Sequence, residues 1–283
     1  MKERANIPGV GRKLSTKMVE KVWGRTHLPE PFKAPDGARV GEIWFEPPEE
    51  MRDLLVKYLF TSEKLSVQVH PSTQNAQAGE EGKEECWLVL DAKPGARLAI
   101  GFEQEHSAQT IEAAARDGSI EDLLMWHEAA VGDLFYLPAG TVHAIGPGLA
   151  LLEVQQNSDT TFRLYDYGRP RKLHLDRALA VADRRPYEAC HKGMVADRGV
   201  TLIDGPHFRL DRVEGAPDAA CLSAYAEGVL ALPLEGTIAL HKDLDGTQTL
   251  ARELVGVGEC LYAPSLSAID FSSAAVTLLT GSR

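Results

Sequence analysis

Between residues 40 and 170 the chain is a succession of short β-forming runs, each closed within a few residues by Gly, Pro or Asp. That rhythm leaves few folds open. It predicts strands at Leu65–His70, Cys86–Leu90, Arg97–Phe102, Leu134–Leu137, Leu149–Gln155 and Thr161–Tyr165. Strands so closely spaced, joined by tight turns, build antiparallel sandwiches or barrels. The regular strand–helix alternation of a parallel sheet is missing.

Helical signals interrupt this pattern in two places. Ser107 reads as the N-cap of a helix over Thr110–Arg116 that stops at Gly118, and a second short helix is expected from Ser119 to Trp126, with Glu121 and Asp122 in its first turn. Another run, Leu175–Asp183, ends before Pro186, and the domain boundary is placed there, giving domains 1–185 and 186–283. The two parts share an echo: Gly132-Asp-Leu-Phe-Tyr-Leu-Pro138 and Gly258-Glu-Cys-Leu-Tyr-Ala-Pro264 both read as a turn entering a strand that stops at proline. Counting on from each proline, Ile269 stands where His143 stands, so the second half is expected to be a related barrel without that polar residue.

A formal charge of -11 argues against general affinity for nucleic acid or an anionic membrane, and any anionic substrate must be met by basic residues gathered locally. The opening MKERANIPGVGRKLSTK has no long apolar core, so it reads as neither signal peptide nor membrane anchor, and no later stretch approaches the length that spans a bilayer. Cys86, Cys190, Cys221 and Cys260 form no C-x-x-C pair and are expected as buried free thiols, which fits a cytoplasmic protein.

Candidate chemistry concentrates between Gln68 and His143. In Leu65-Ser-Val-Gln-Val-His-Pro71 strand alternation sends Ser66, Gln68 and His70 to one face and the apolar residues to the other; the bland reading is a half-exposed strand with its polar side in water. Glu84 and Glu85 stand at the mouth of the next apolar run, and composition does not choose between them. His143 follows Gly132-x5-Pro138-x-Gly140-x2, a sharp turn that starts the next strand with its imidazole aimed inward, and this spacing is that of the second metal motif of cupins. Two imidazoles, a carboxylate and the Gln68 amide suit catalytic Zn²⁺, and the two-His-one-carboxylate core equally suits Fe²⁺.

These segments, with Gly82-Lys-Glu-Glu-Cys-Trp87, the run Glu153 to Tyr167, Lys21-Val-Trp-Gly24 and Gly41-Glu-Ile-Trp44, resemble the type I mannose-6-phosphate isomerases in their short bacterial form, from about residue 20 to 170. The resemblance implies an all-β fold of two cupin-like (jelly-roll) barrels, with a helical insertion at about 107–126 in the first and no metal ligands in the second. It implies one Zn²⁺ per chain held by Gln68, His70, Glu85 and His143, preferring Glu85 over Glu84. It also implies a catalytic Arg163, with Ser66, Lys83 and Glu153 lining the site of a small sugar phosphate. Read without it, Arg163 is a strand-surface cation, Lys83 a loop charge, Ser66 a packing hydroxyl and Glu153 half of a buried pair with Arg163. Past about Lys172 the family pattern fades.

The activity so implied interconverts mannose 6-phosphate and fructose 6-phosphate through a cis-enediol, in a cytoplasmic monomer or homodimer. The proton-transfer base is left open among Glu153, a zinc-bound water and a ligating histidine. Rival expectations are an isomerase of free mannose or related aldoses, an Fe²⁺ cupin dioxygenase, and a sugar-binding cupin without turnover.

Overall fold

The computed structural model describes residues 10–187, 191–192, 200–242 and 251–283. Two compact units emerge, one of Met18–Trp44 with Leu55–Met194, the other of Met1–Lys17, Phe45–Leu54 and Val195–Arg283. Residues 10–17 and 45–54 thus group with the C-terminal part, which a single cut at 185/186 does not provide for; Arg12 and Lys13, for instance, pair with Tyr262 and Leu261. Both units are antiparallel β, as the turn-punctuated runs require. Cys190 lies outside the described residues, and Cys86, Cys221 and Cys260 are buried free thiols. No helix among the described residues is long and apolar enough to cross a membrane.

The larger unit carries a seven-stranded and a five-stranded sheet. The first orders His191–Lys192, Leu134–Leu137, Glu85–Ala92, Leu149–Gln156, Leu54–Phe60, Val40–Phe45 and Thr16–Arg25. The second orders Phe162–Tyr165, Val67–Val69, His143–Ile145, Arg97–Phe102 and Leu124–Glu128. Their inner faces meet in one apolar cluster, where Trp87, Phe135 and Leu151 of the larger sheet pack on Leu98, Ile100 and Ile145 of the smaller.

The outer face of the five-stranded sheet is covered by helices. Val67, Val69, Ala144, Phe162 and Leu164 pack there against Ile111, Ala115, Ala178 and Val181. Helix Ala108–Asp117 begins at Ser107, whose side chain accepts from the Thr110 amide, and ends at Gly118 in the left-handed conformation. Such a cap is worth about 1 kcal/mol. The run after Gly118 departs from the expected helix: Ser119–Leu123 is a single 3₁₀ stretch, and Leu124–Glu128 is a strand. Leu124 stands opposite Phe102 there, so burial at a sheet edge outweighs the weak local preference for helix. The third helix stops at Val181, two residues short of Asp183.

The smaller unit is built around the long strand Val229–Lys242, which pairs with Leu261–Ala263, Ala274–Ser282, Ala251–Gly256 and Ile269–Asp270. The echo has a structural counterpart. Gly132 and Gly258 adopt the same left-handed conformation (φ 91° and 86°), and His143 and Ile269 each open a short strand. Ile269 is buried in an apolar cluster with Leu266 and Phe271.

Candidate metal centre

Strand register assembles the site. Arg163 stands opposite Gln68, and Gln68 opposite His143. Residues directly opposite in antiparallel strands share a face, so the three form a row across the five-stranded sheet. Because Val67 and Val69 face the helices, Gln68 and its flanking polar residues turn inward, and Ser66 and His70 are buried, which excludes the half-exposed reading. Simple alternation along this strand would put Thr161, Arg163 and Tyr165 on one face, but that face is not continuous. A bulge between Arg163 and Tyr165 puts Tyr165 opposite Val67, on the helix-covered side, while Arg163 keeps its place beside Gln68.

From the seven-stranded sheet comes Glu85, 2% exposed, and alternation sends its neighbour Glu84 elsewhere, to accept a hydrogen bond from the Tyr136 hydroxyl. Backbone pairing thus makes the choice that composition left open. His70, Glu85 and His143 converge so that one donor atom from each lies within 4.8 Å of the others, the metal-capable cluster among the described residues. His143 Nε2 is 3.4 Å from Glu85 Oε1, and His70 Nε2 is 3.7 Å from Glu85 Oε2. The Pro138–Gly140 turn is tied to the other histidine, since the Gly140 amide, at φ 90°, donates to the His70 carbonyl.

The outer nitrogens fix both tautomers. His70 Nδ1 lies 2.7 Å from the Thr160 carbonyl and His143 Nδ1 2.9 Å from the Thr141 carbonyl. A carbonyl only accepts, so Nδ1 carries the proton in each ring and the Nε2 lone pair points into the cluster. Burial, with Lys83 adding to it, lowers both histidine pKa values and keeps the rings neutral. Burial alone would raise the Glu85 carboxyl, but the Lys83 ammonium beside it outweighs burial and holds Glu85 low and ionised. The donor set is what a divalent cation selects: two neutral imidazoles and a carboxylate, with the outer imidazole nitrogens engaged by backbone carbonyls.

The remaining candidates surround this cluster. Ser66 Oγ donates to Gln68 Oε1 at 3.0 Å, and the Gln68 amide nitrogen sits 3.2 Å from His143 Nε2. Lys83, 7% exposed rather than a loop charge, places its ammonium 2.9 Å from Glu85 Oε2 and 3.3 Å from His70 Nε2. Glu153 does not pair with Arg163. Its Oε1 lies 3.2 Å from Lys57 Nζ and 3.7 Å from Lys83 Nζ, distances of Coulombic pairing without hydrogen-bond alignment, and burial pushes its pKa up to about 7 against those cations. Arg163 is half-buried, its Nε has no hydrogen-bond partner, and no carboxylate pairs with it among the described residues. Lys57 is a further residue of the site that no sequence motif marks. Its signal was a single cation inside the otherwise apolar Leu54-Leu-Val-Lys-Tyr-Leu-Phe60, all seven residues of which are buried.

No protein-family model matches the chain. A probable mannose-6-phosphate isomerase of Bacillus subtilis, GmuF, is 37% identical over 198 residues, covering 66% of this chain and 57% of the relative. Among solved structures, the mannose 6-phosphate isomerase from Bacillus subtilis superposes with a TM-score of 0.71 at 24% identity, over 96% of this chain and 99% of that one. The chain resembles mannose-6-phosphate isomerases in sequence and shares their fold. A zinc-bound mannose 6-phosphate isomerase also has this fold, with TM-score 0.68 at 15% identity over 96% of this chain and 99% of that one. In sequence, the chain spans 57% of the length of GmuF, under two thirds of that relative.

The protonation pattern has a measurable consequence for the metal-free protein. His70 and His143 stay neutral when folded but take up protons near pH 6.5 when unfolded, so their contribution to stability is lost as pH falls below that value. Glu153 acts in the opposite sense: raised to about 7, it holds a proton in the folded state between pH 7 and its unfolded value near 4.5, so its contribution grows as pH falls. With the two buried histidines opposing the one raised carboxyl, stability of the metal-free protein is expected to fall as pH is lowered from about 6 to 5. Urea unfolding of chelator-treated protein across that range checks it, and stability that rises on acidification contradicts it.

Proposed function

We propose that the chain is a zinc-dependent aldose–ketose isomerase that interconverts mannose 6-phosphate and fructose 6-phosphate. The observation that carries this reading is the row in which an unpaired guanidinium, Arg163, adjoins a buried His70–Glu85–His143 cluster. The names of the relatives support the substrate assignment, and the zinc-bound neighbour supports the metal. His70, Glu85 and His143 would hold the ion, with Gln68 as fourth ligand. For its oxygen to serve, the Gln68 amide turns over, and the Ser66 hydroxyl can then accept from the amide nitrogen as readily as it now donates to the oxygen. Bound there, zinc supplies a Lewis acid that polarises the sugar oxygens.

The protein's own groups divide the remaining work. Isomerisation removes a proton from C2 and returns one to C1, with negative charge gathering on the oxygens between. Glu153 suits the proton transfer, because burial keeps its carboxyl poised between its two states near neutrality while Lys57 holds it in place. Arg163 is assigned to the developing charge: a fixed cation with no internal partner is complementary to an enediolate and costs no reorganisation when that charge appears. Lys83 already compensates Glu85 and Glu153 and is assigned to binding the substrate anion.

The deciding assay follows conversion of fructose 6-phosphate to mannose 6-phosphate before and after chelation. Turnover should vanish with the metal and return with zinc. Equal turnover of free mannose, or oxygen consumption dependent on iron, overturns the assignment.

A further inference from the structure

A cavity of about 580 Å³ opens away from the metal cluster in the same unit and shares no residue with it. Its walls are the hairpins at Lys93–Arg97 and Gly146–Gly148, closed by Arg25, Lys64 and Trp126. Gly146 lies three residues beyond His143 on an extended strand, a rise of roughly 10 Å along it. Five basic residues line the space (Arg25, His27, Lys64, Lys93 and Arg97) and no acidic one does, in a chain where 41 acids outnumber 30 Lys and Arg.

Solvated lysines on a rim would mean little, but Arg25 is different. Its side chain is 11% exposed; Nε donates to the Thr61 carbonyl at 3.0 Å and one terminal nitrogen to Asp91 at 3.3 Å, yet the other, Nη2, is buried with no partner. Arg97 stacks over the Trp126 ring at 5.4 Å with no carboxylate partner among the described residues, and Lys93 has none either, whereas Lys64 is taken by Glu121. The frame is tight: a side chain at Gly146 would come within 2.3 Å of the Arg97 carbonyl, and the Gly146, Lys93 and Gly148 amides lace the two hairpins and Thr61 together.

We propose that this cavity is a separate binding site for a small molecule carrying a phosphate group, recognised by Arg25, Lys93 and Arg97. An oxyanion is the chemistry that neutralises the two cations without carboxylate partners, Lys93 and Arg97, beside the Arg25 guanidinium. The test titrates inorganic phosphate, and in parallel glycerol 3-phosphate, into full-length ¹⁵N-labelled protein and follows the amide spectrum. Saturable shifts are expected at residues 93–97 and 146–148 and at the Trp126 indole, at ligand concentrations below about 10 mM. Arg25→Gln and the double variant Lys93→Ala/Arg97→Ala should each weaken binding at least about tenfold, with unchanged spectra elsewhere, and Arg163→Ala should not weaken it. Tighter binding of the ester identifies an organic phosphate, and equal binding identifies the free anion. Shifts confined to the surroundings of His70 and Arg163, affinity untouched by the Arg25 and Lys93/Arg97 variants, or no saturable shift overturns the site.

Discussion

His143→Ala is expected to lose the metal and, with it, essentially all isomerase turnover. His143 supplies one of three convergent donors, is 2% exposed, and is oriented by the Thr141 carbonyl behind it. Loss of an outer partner alone typically weakens a metal site by about 10–100-fold, so removing the inner donor should exceed that range. Metal content per chain, measured after extensive dialysis, reads the effect directly. His70→Ala should behave alike, its ring being held the same way by the Thr160 carbonyl. Because truncating a buried ring also leaves a cavity, His143→Leu keeps much of the volume without a donor atom and separates metal loss from misfolding. Full metal occupancy with near-normal turnover in either variant would remove the cluster from the mechanism.

Arg163→Ala should dissociate chemistry from metal binding. Arg163 stands in the same row as His143 but contributes no donor atom to the cluster, so metal content should stay at the wild-type level. Turnover should fall by about 10²-fold or more, the scale seen when a preorganised charge-stabilising group is removed. Folding should not suffer. Burial and the nearby Arg171 both disfavour the Arg163 cation in the metal-free protein, and truncation removes a group with an unsatisfied nitrogen. Arg163→Lys should recover little, since a point charge does not replace a planar fork. Lys83→Ala sets the contrast: a cation that holds substrate in ground and transition states alike should raise KM more than it lowers kcat. Wild-type kcat in Arg163→Ala would reject the role given to that residue.

Much of this site is written locally in the chain. Alternation in Leu65–Pro71 dictates that Gln68 and His70 oppose Val67 and Val69, and the burial of both valines under the helices realises it. The Pro-x-Gly turn before His143 and the Ser107 and Gly118 caps are likewise local, because each depends on backbone torsions and hydrogen bonds within a few residues. Pairing between distant strands decided the rest. Register across the sheet set Arg163 beside Gln68, and a bulge invisible in the alternating pattern turned Tyr165 to the other face. Partners from distant segments gave Glu85 and Glu84 different roles, drew Leu124–Glu128 out of the expected helix, and set Lys57 between the buried carboxylates of Glu42 and Glu153. Sequence periodicity tells a side chain which face to take; what it meets there is set by strands 15 to 100 residues away, whose register no local propensity encodes.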